Sequence, residues 1–103
     1  MMYDATSEQL FENLSHFAIR YPALIYHTLR TNLTLEIVFF IEDIALECCQ
    51  SLLDSGITAI CRMNNPRVVS LQLPSLIAQE QSSQVIEILD GFLMNVNNKL
   101  PNP

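Results

Sequence analysis

The chain has little of what most active sites and nucleic-acid surfaces are built from. Of 103 residues only two are glycine, Gly56 and Gly91, one is lysine, Lys99, and none is tryptophan. Phosphate-cradling loops need several closely spaced glycines so that backbone N–H groups can approach the anion, and two isolated ones exclude them. A nucleophile elbow is excluded on the same ground. The cationic residues Arg20, Arg30, Arg62, Arg67 and Lys99 are scattered, against eleven Asp and Glu, for a net charge of −6. Binding a phosphate backbone takes a clustered cationic footprint, so direct nucleic-acid binding is not expected. An acidic surface instead suits a basic protein partner, or solubility alone.

Other absences bound location. The N-terminus carries Asp4, Glu8 and Glu12 where a secretory signal would place a cationic segment and an apolar run. The most apolar window, Leu33 to Cys49, is interrupted by Glu36, Glu42, Asp43 and Glu47, which bars it from spanning a bilayer. Three cysteines, two of them adjacent, make no disulfide framework, and there is no Cys-x-x-Cys knuckle. A reducing, cytoplasmic location is expected, with no metal and no cofactor.

What is present is apolar bulk. Hydrophobic residues make up 50% of the chain and charged residues 16%, against about 25% charged in ordinary soluble domains. One domain over 1–98 is expected, with 99–103 a flexible C-terminal tail. A domain of this size buries only about two thirds of its unfolded surface. Some of the apolar excess is therefore left for a partner or a second copy, and a homo-oligomer is expected.

The strongest pattern is an acidic ridge. Glu36, Asp43, Glu47, Gln50 and Asp54 fall within an arc of roughly 60° if the segment is helical, at about 100° per residue. Nearly everything else from Leu33 to Leu53 is apolar, which predicts a long central helix over 34–54, buried on most sides and stopped by Gly56. Leu33, Leu35, Ile37 and Phe39 also alternate as a strand would, but four alternating residues weigh less than a stripe sustained over eighteen. Before it, Leu10, Leu14, Phe17 and Tyr21 predict a first helix capped at Thr6 or Ser7, and Pro22 to Arg30 a second short one. After it, two β-favouring runs around Asn64-Asn65-Pro66 predict a hairpin within 57–73, a short helix being the alternative. Ser75 to Gln81 reads as a loop or a single turn. Ser82 or Ser83 then caps a last helix with Val85, Ile86, Leu89, Phe92, Leu93 and Val96 on its inner side. The expected fold is mainly α: three to four helices around the central one, with the hairpin.

Chemistry is sparse. Glu12 and His16 are neighbours on a helix surface, but with no third partner they read as an ordinary surface pair. Pro22 breaks any alignment of His16 with His27. Cys48, Cys49 and Cys61 read as small buried hydrophobes, since no cationic residue on that helix would lower a thiol pKa. The ridge carboxylates lie too far apart along a helix axis to converge on a metal. Phe39 and Phe40 border the ridge, and an aromatic anchor beside an acidic rim resembles an interaction patch. Glu36, Phe39, Phe40, Asp43 and Glu47 are therefore the candidate interaction residues. The function expected is a small acidic, non-enzymatic interaction module, a regulator, inhibitor or adaptor, acting as a homodimer. A structural subunit that folds with its partner is the alternative. A small metal-dependent enzyme using Glu12, His16 and the ridge ranks below both.

Overall fold

A computed structural model describes residues 5–30, 34–62, 64–72 and 79–100. The elements run α1 (Ala5–Arg20), β1 (Ile25–Arg30), β2 (Thr34–Phe39), α2 (Glu42–Asp54), β3 (Ala59–Cys61), β4 (Val68–Gln72) and α3 (Gln79–Lys99). The four strands form one antiparallel sheet in the order β1-β2-β4-β3. This is an α+β fold, and it overturns the expectation of a mainly α protein.

Two expected helices are corrected. Residues 34–39 of the expected central helix are strand β2, paired on both sides, with β1 and with β4. Its alternation is what a strand flanked by two others requires: Leu35, Ile37 and Phe39 point into the core and are at most 2% exposed. The helical part is α2 alone. The expected short helix at Pro22 to Arg30 is a turn followed by β1, because Ile25 to Arg30 gains a ladder from β2, broken only by a bulge, that a short isolated helix could not match. The hairpin expected within 57–73 is present as β3 paired antiparallel with β4, and it forms one half of the larger sheet. Of the loop expected at 75–81, residues 79–81 already belong to α3, so Ser82 and Ser83 lie inside that helix and do not cap it. Lys99 of the expected tail closes the same helix. The rest of that loop, Met63 and the tail beyond Leu100 fall outside the described residues.

Among the described residues, α1 and α2 pack on one face of the sheet and α3 packs against both of them. Leu10, Leu14 and Phe17 of α1, Ala45, Cys48 and Leu52 of α2, and Val85, Leu89 and Leu93 of α3 join Leu35, Ile37, Phe39, Val69, Leu71 and Ala59 in a single core. The register confirms the sidedness, since Thr28 of β1 meets Ser15 of α1, Oγ to Oγ1, at 3.2 Å. A bulge makes that possible. Between Ile25 and His27 the register slips by one residue, which lets both Ile25 and Thr28 face the helices. Tyr26 is the extra residue, thrown outward to 60% exposure. Gly56, at φ +84°, turns the chain out of α2, whose closing N–H groups at Ser55, Gly56 and Ile57 reach back to Leu52 and Leu53.

Candidate functional site

The opposite face of the sheet carries no helix among the described residues. Its residues follow from the register: His27 and Leu29 on β1, Glu36 and Val38 on β2, Val68 and Ser70 on β4, and Ile60 on β3. Four of them form one transverse row, since Leu29 pairs with Glu36, Glu36 with Ser70, and Ser70 with Ile60. Three strand spacings make the row about 14 Å long. Its ends are apolar and open, with Leu29 at 44% and Ile60 at 45% exposure, while Glu36 and Ser70 between them are buried.

A nearly buried carboxylate needs a partner, and Glu36 has two. Ser70 Oγ donates to Glu36 Oε2 at 3.1 Å, and Arg62 Nη2 donates to the same oxygen in an ion pair. Arg62 remains half exposed while the carboxylate is almost dry. The arrangement is a neutralised polar centre set between two exposed aliphatic side chains. It resembles the composition of a protein interface, apolar with a few satisfied polar groups.

The expected interaction residues separate. Glu36 sits on the bare sheet face, not on a helical ridge. Phe39 points the other way, 1% exposed in the core. Phe40 follows β2 and is 45% exposed, its ring edge-on to Tyr26 at 5.4 Å between centroids. Asp43 and Glu47 are exposed on α2, together with Gln50 and Asp54, whose side chains hydrogen-bond at 2.9 Å. So the stripe on α2 is real and Glu36 does not belong to it. Leu29, Ile60, Arg62 and Ser70 were not singled out from sequence, because they become neighbours only through strand register. The alternation Leu35, Ile37, Phe39 was the available signal that Glu36 belongs to a strand face.

The other sequence candidates come apart as well. Glu12 and His16 are exposed on α1. His27 is on the helix-free side of β1, so no continuous helix aligns it with His16. Among the described residues no group of three or more His, Cys, Asp or Glu is arranged to hold a metal ion. The three cysteines are free, Cys48 and Cys49 buried and Cys61 half-buried. Burial pushes the Cys48 thiol far above its ordinary value, and the neighbouring thiols Cys49 and Cys61 push the same way. Burial also raises Cys49, opposed in part by a backbone hydrogen bond to Cys61. Cys61 is raised by burial and then by the charge of Glu42, and its Sγ donates to the Pro66 carbonyl at 3.1 Å. All three are poor nucleophiles at neutral pH.

A groove of about 280 Å³ lies between α1 and α3, floored by Phe17 and Ile86 and rimmed by His16, Arg20 and Asp90. Arg20 spans it, 3.3 Å from Asp90 Oδ1 and 5.2 Å from the Tyr21 ring centroid. No helix among the described residues is long and apolar enough to cross a membrane.

No protein-family model matches the chain, and no curated protein matches it. Solved structures do. The ornithine delta-aminotransferase of Plasmodium falciparum, described for its redox regulation, superposes with a TM-score of 0.73 at 19% identity, over 94% of this chain and 24% of that one. An ornithine aminotransferase from Plasmodium yoelii gives 0.71 at 18% identity, over 89% of this chain and 24% of its own. The likeness is one of fold. This chain spans about a quarter of the length of the proteins it resembles.

Proposed function

We propose that the chain is a non-catalytic docking domain that attaches to a larger protein body through the helix-free face of its sheet. The observation that carries this reading is the row Leu29–Glu36–Ser70–Ile60, with its two open aliphatic ends and its neutralised centre. Both side chains are already more than half buried, so covering the rest contributes about 0.7–1.3 kcal/mol each. The carboxylate at the centre is already paired, so a partner meets no free charge there.

The likeness to aminotransferases supports attachment to something larger. There, a unit of this shape is about a quarter of a long chain. An amino-transfer activity would belong to such a whole. On its own, this chain would have no enzymatic activity. The acidic balance and scattered cations speak against direct nucleic-acid contact. Three free thiols suit a reducing, cytoplasmic setting. A second copy of this chain is the competing occupant of the face, and it would make the protein a homodimer.

The test is a photo-crosslinking side chain at position 60 or 29, compared with one at position 94 on the helix side, in cells of the source organism. The reading expects a discrete adduct, of more than twice the chain mass, from the sheet positions only. An adduct of twice the chain mass would replace the larger body with a homodimer. No adduct, or the same adducts from position 94, would remove the sheet face as an interface.

A further inference from the structure

The outer face of α2 is a second unpartnered surface, independent of the sheet. Taking Leu46 as the origin, Leu53 falls at about −20° around the helix, Gln50 at about +40° and Asp43 at about +60°. By the same geometry Asp54 and Glu47 lie at about +80° and +100°, and Glu42 at about −40°. Two leucines seven residues apart thus form a line with carboxylates on both sides. Both are open, Leu46 at 60% and Leu53 at 47% exposure. The inward face of α2, made by Ile44, Ala45, Cys48, Cys49 and Leu52, is fully used by the core.

The charge on α2 itself has one sign. From residue 31 to residue 61 the chain has five Asp or Glu and no Lys, Arg or His. The ion pairs seen among the described residues, Arg20–Asp90, Arg30–Glu8 and Arg62–Glu36, use none of the four α2 carboxylates. An ordinary solvated helix face alternates acids with bases four residues apart and carries few large apolar groups. This one has the acids without the bases, and leucines between them.

We propose that this face docks a basic amphipathic helix, with apolar side chains seated on Leu46 and Leu53 and Lys or Arg paired with Glu42, Asp43, Glu47 and Asp54. Helix-on-helix docking reads anchors at i, i+3, i+4 and i+7, and Leu46 and Leu53 supply an i, i+7 pair. Charge complementarity then sets orientation and encounter rate, and apolar burial sets residence.

The experiment uses the full chain and a synthetic leucine/lysine peptide of about 18 residues, five helical turns, followed by fluorescence anisotropy. Two control peptides accompany it, a scramble of the same composition and a neutral leucine/glutamine version. The amphipathic basic peptide is expected to bind, to weaken as ionic strength rises from about 0.05 to about 0.5 M, and to exceed both controls. The variant Leu46→Ser/Leu53→Ser is expected to lose about tenfold or more in affinity. Asp43→Lys/Glu47→Lys is expected to lose a similar factor and most of the salt dependence. The exposed positions leave the core intact, which circular dichroism checks. Absence of binding, equal binding of the scramble, or an unaffected leucine variant would overturn the proposal. So would a leucine variant that splits a dimer, because the occupant would then be a second copy. None of these results bears on Leu29 or Ile60, so the sheet-face reading stands or falls separately.

Discussion

Arg62 leaves the sheet just past β3 and reaches over β4 to the carboxylate of Glu36 on β2. One side chain thus ties three strands on the face that carries no helix among the described residues. Its path crosses the part of β4 that holds Val68 and Ser70, and both are buried despite facing away from the core. A long arginine stem covering apolar surface while its head makes an ion pair accounts for that burial.

Removing Arg62 should therefore cost more than an ordinary surface ion pair. Arg62→Ala leaves an almost buried carboxylate with one hydroxyl for company, and about 1–3 kcal/mol of stability should be lost in urea unfolding. Combining it with Glu36→Gln should recover a large part of that loss. If Arg62→Ala costs less than about 0.5 kcal/mol, solvent already screens the pair.

The neighbouring phenylalanines should behave differently. Phe39→Ala opens a cavity in the core and should destabilise by about 3–5 kcal/mol. Phe40→Ala loses part of a half-exposed edge contact with Tyr26 and should cost about 1 kcal/mol. Thermal melts of the two variants compare them directly, and equal losses would put Phe40 in the core.

The glycines give a pair of opposite signs. Gly91 lies in α3 with nothing within 4 Å of where a Cβ would stand, so Gly91→Ala should stabilise by about 0.5–1 kcal/mol. Gly56 also has open space but sits at φ +84°, so Gly56→Ala should destabilise by about 1 kcal/mol through backbone strain alone. Chemical denaturation midpoints measure both.

The buried thiols set an alkaline limit. Burial raises the native pKa of Cys48 above the ordinary thiol value of 9.0, so above that pH the unfolded chain releases a proton that the native chain keeps. Stability from this group is complete below pH 9 and falls as pH rises through the region above it. The melting temperature should drop between about pH 9 and pH 11, and Cys48→Ala should flatten that slope even though it lowers stability at neutral pH. An unchanged slope would assign the alkaline loss to other groups.

Part of this was legible from residue spacing. The stripe Val85, Leu89, Leu93 gives the inner side of α3, and Leu10, Leu14, Phe17 that of α1. Asp43, Glu47, Gln50 and Asp54 give the outer side of α2. Glu36 was the misleading residue. Its offset of seven from Asp43 matches two helical turns, but it lies on a strand separated from α2 by Phe40 and Ile41. A single polar residue inside an apolar run fits either period. Only the pairing of β2 with both neighbours decides it, and pairing between strands 34 residues apart, as Glu36 with Ser70, leaves no local trace. The bulge at Tyr26 is similarly hidden, since it answers to the needs of Ile25 and Thr28 against α1. Of the candidate site, Asp43 and Glu47 could be read as surface, whereas the split between buried Phe39 and open Phe40, and the places of Leu29, Ile60 and Arg62, required the sheet.

The edges of the sheet have a consequence for how anything could join it. β3 is three residues long, too short to offer a recruiting strand more than a bond or two. β1 is longer, but the bulge at Tyr26 interrupts its ladder and re-aims its first residues. Lateral growth into a longer sheet is thus blunted at both ends, and with it the route by which small β-containing proteins swap strands or assemble into fibrils. A partner that engages the sheet has to approach it frontally, across its breadth, and must bring a shape that fits a twisted surface rather than a strand that completes it.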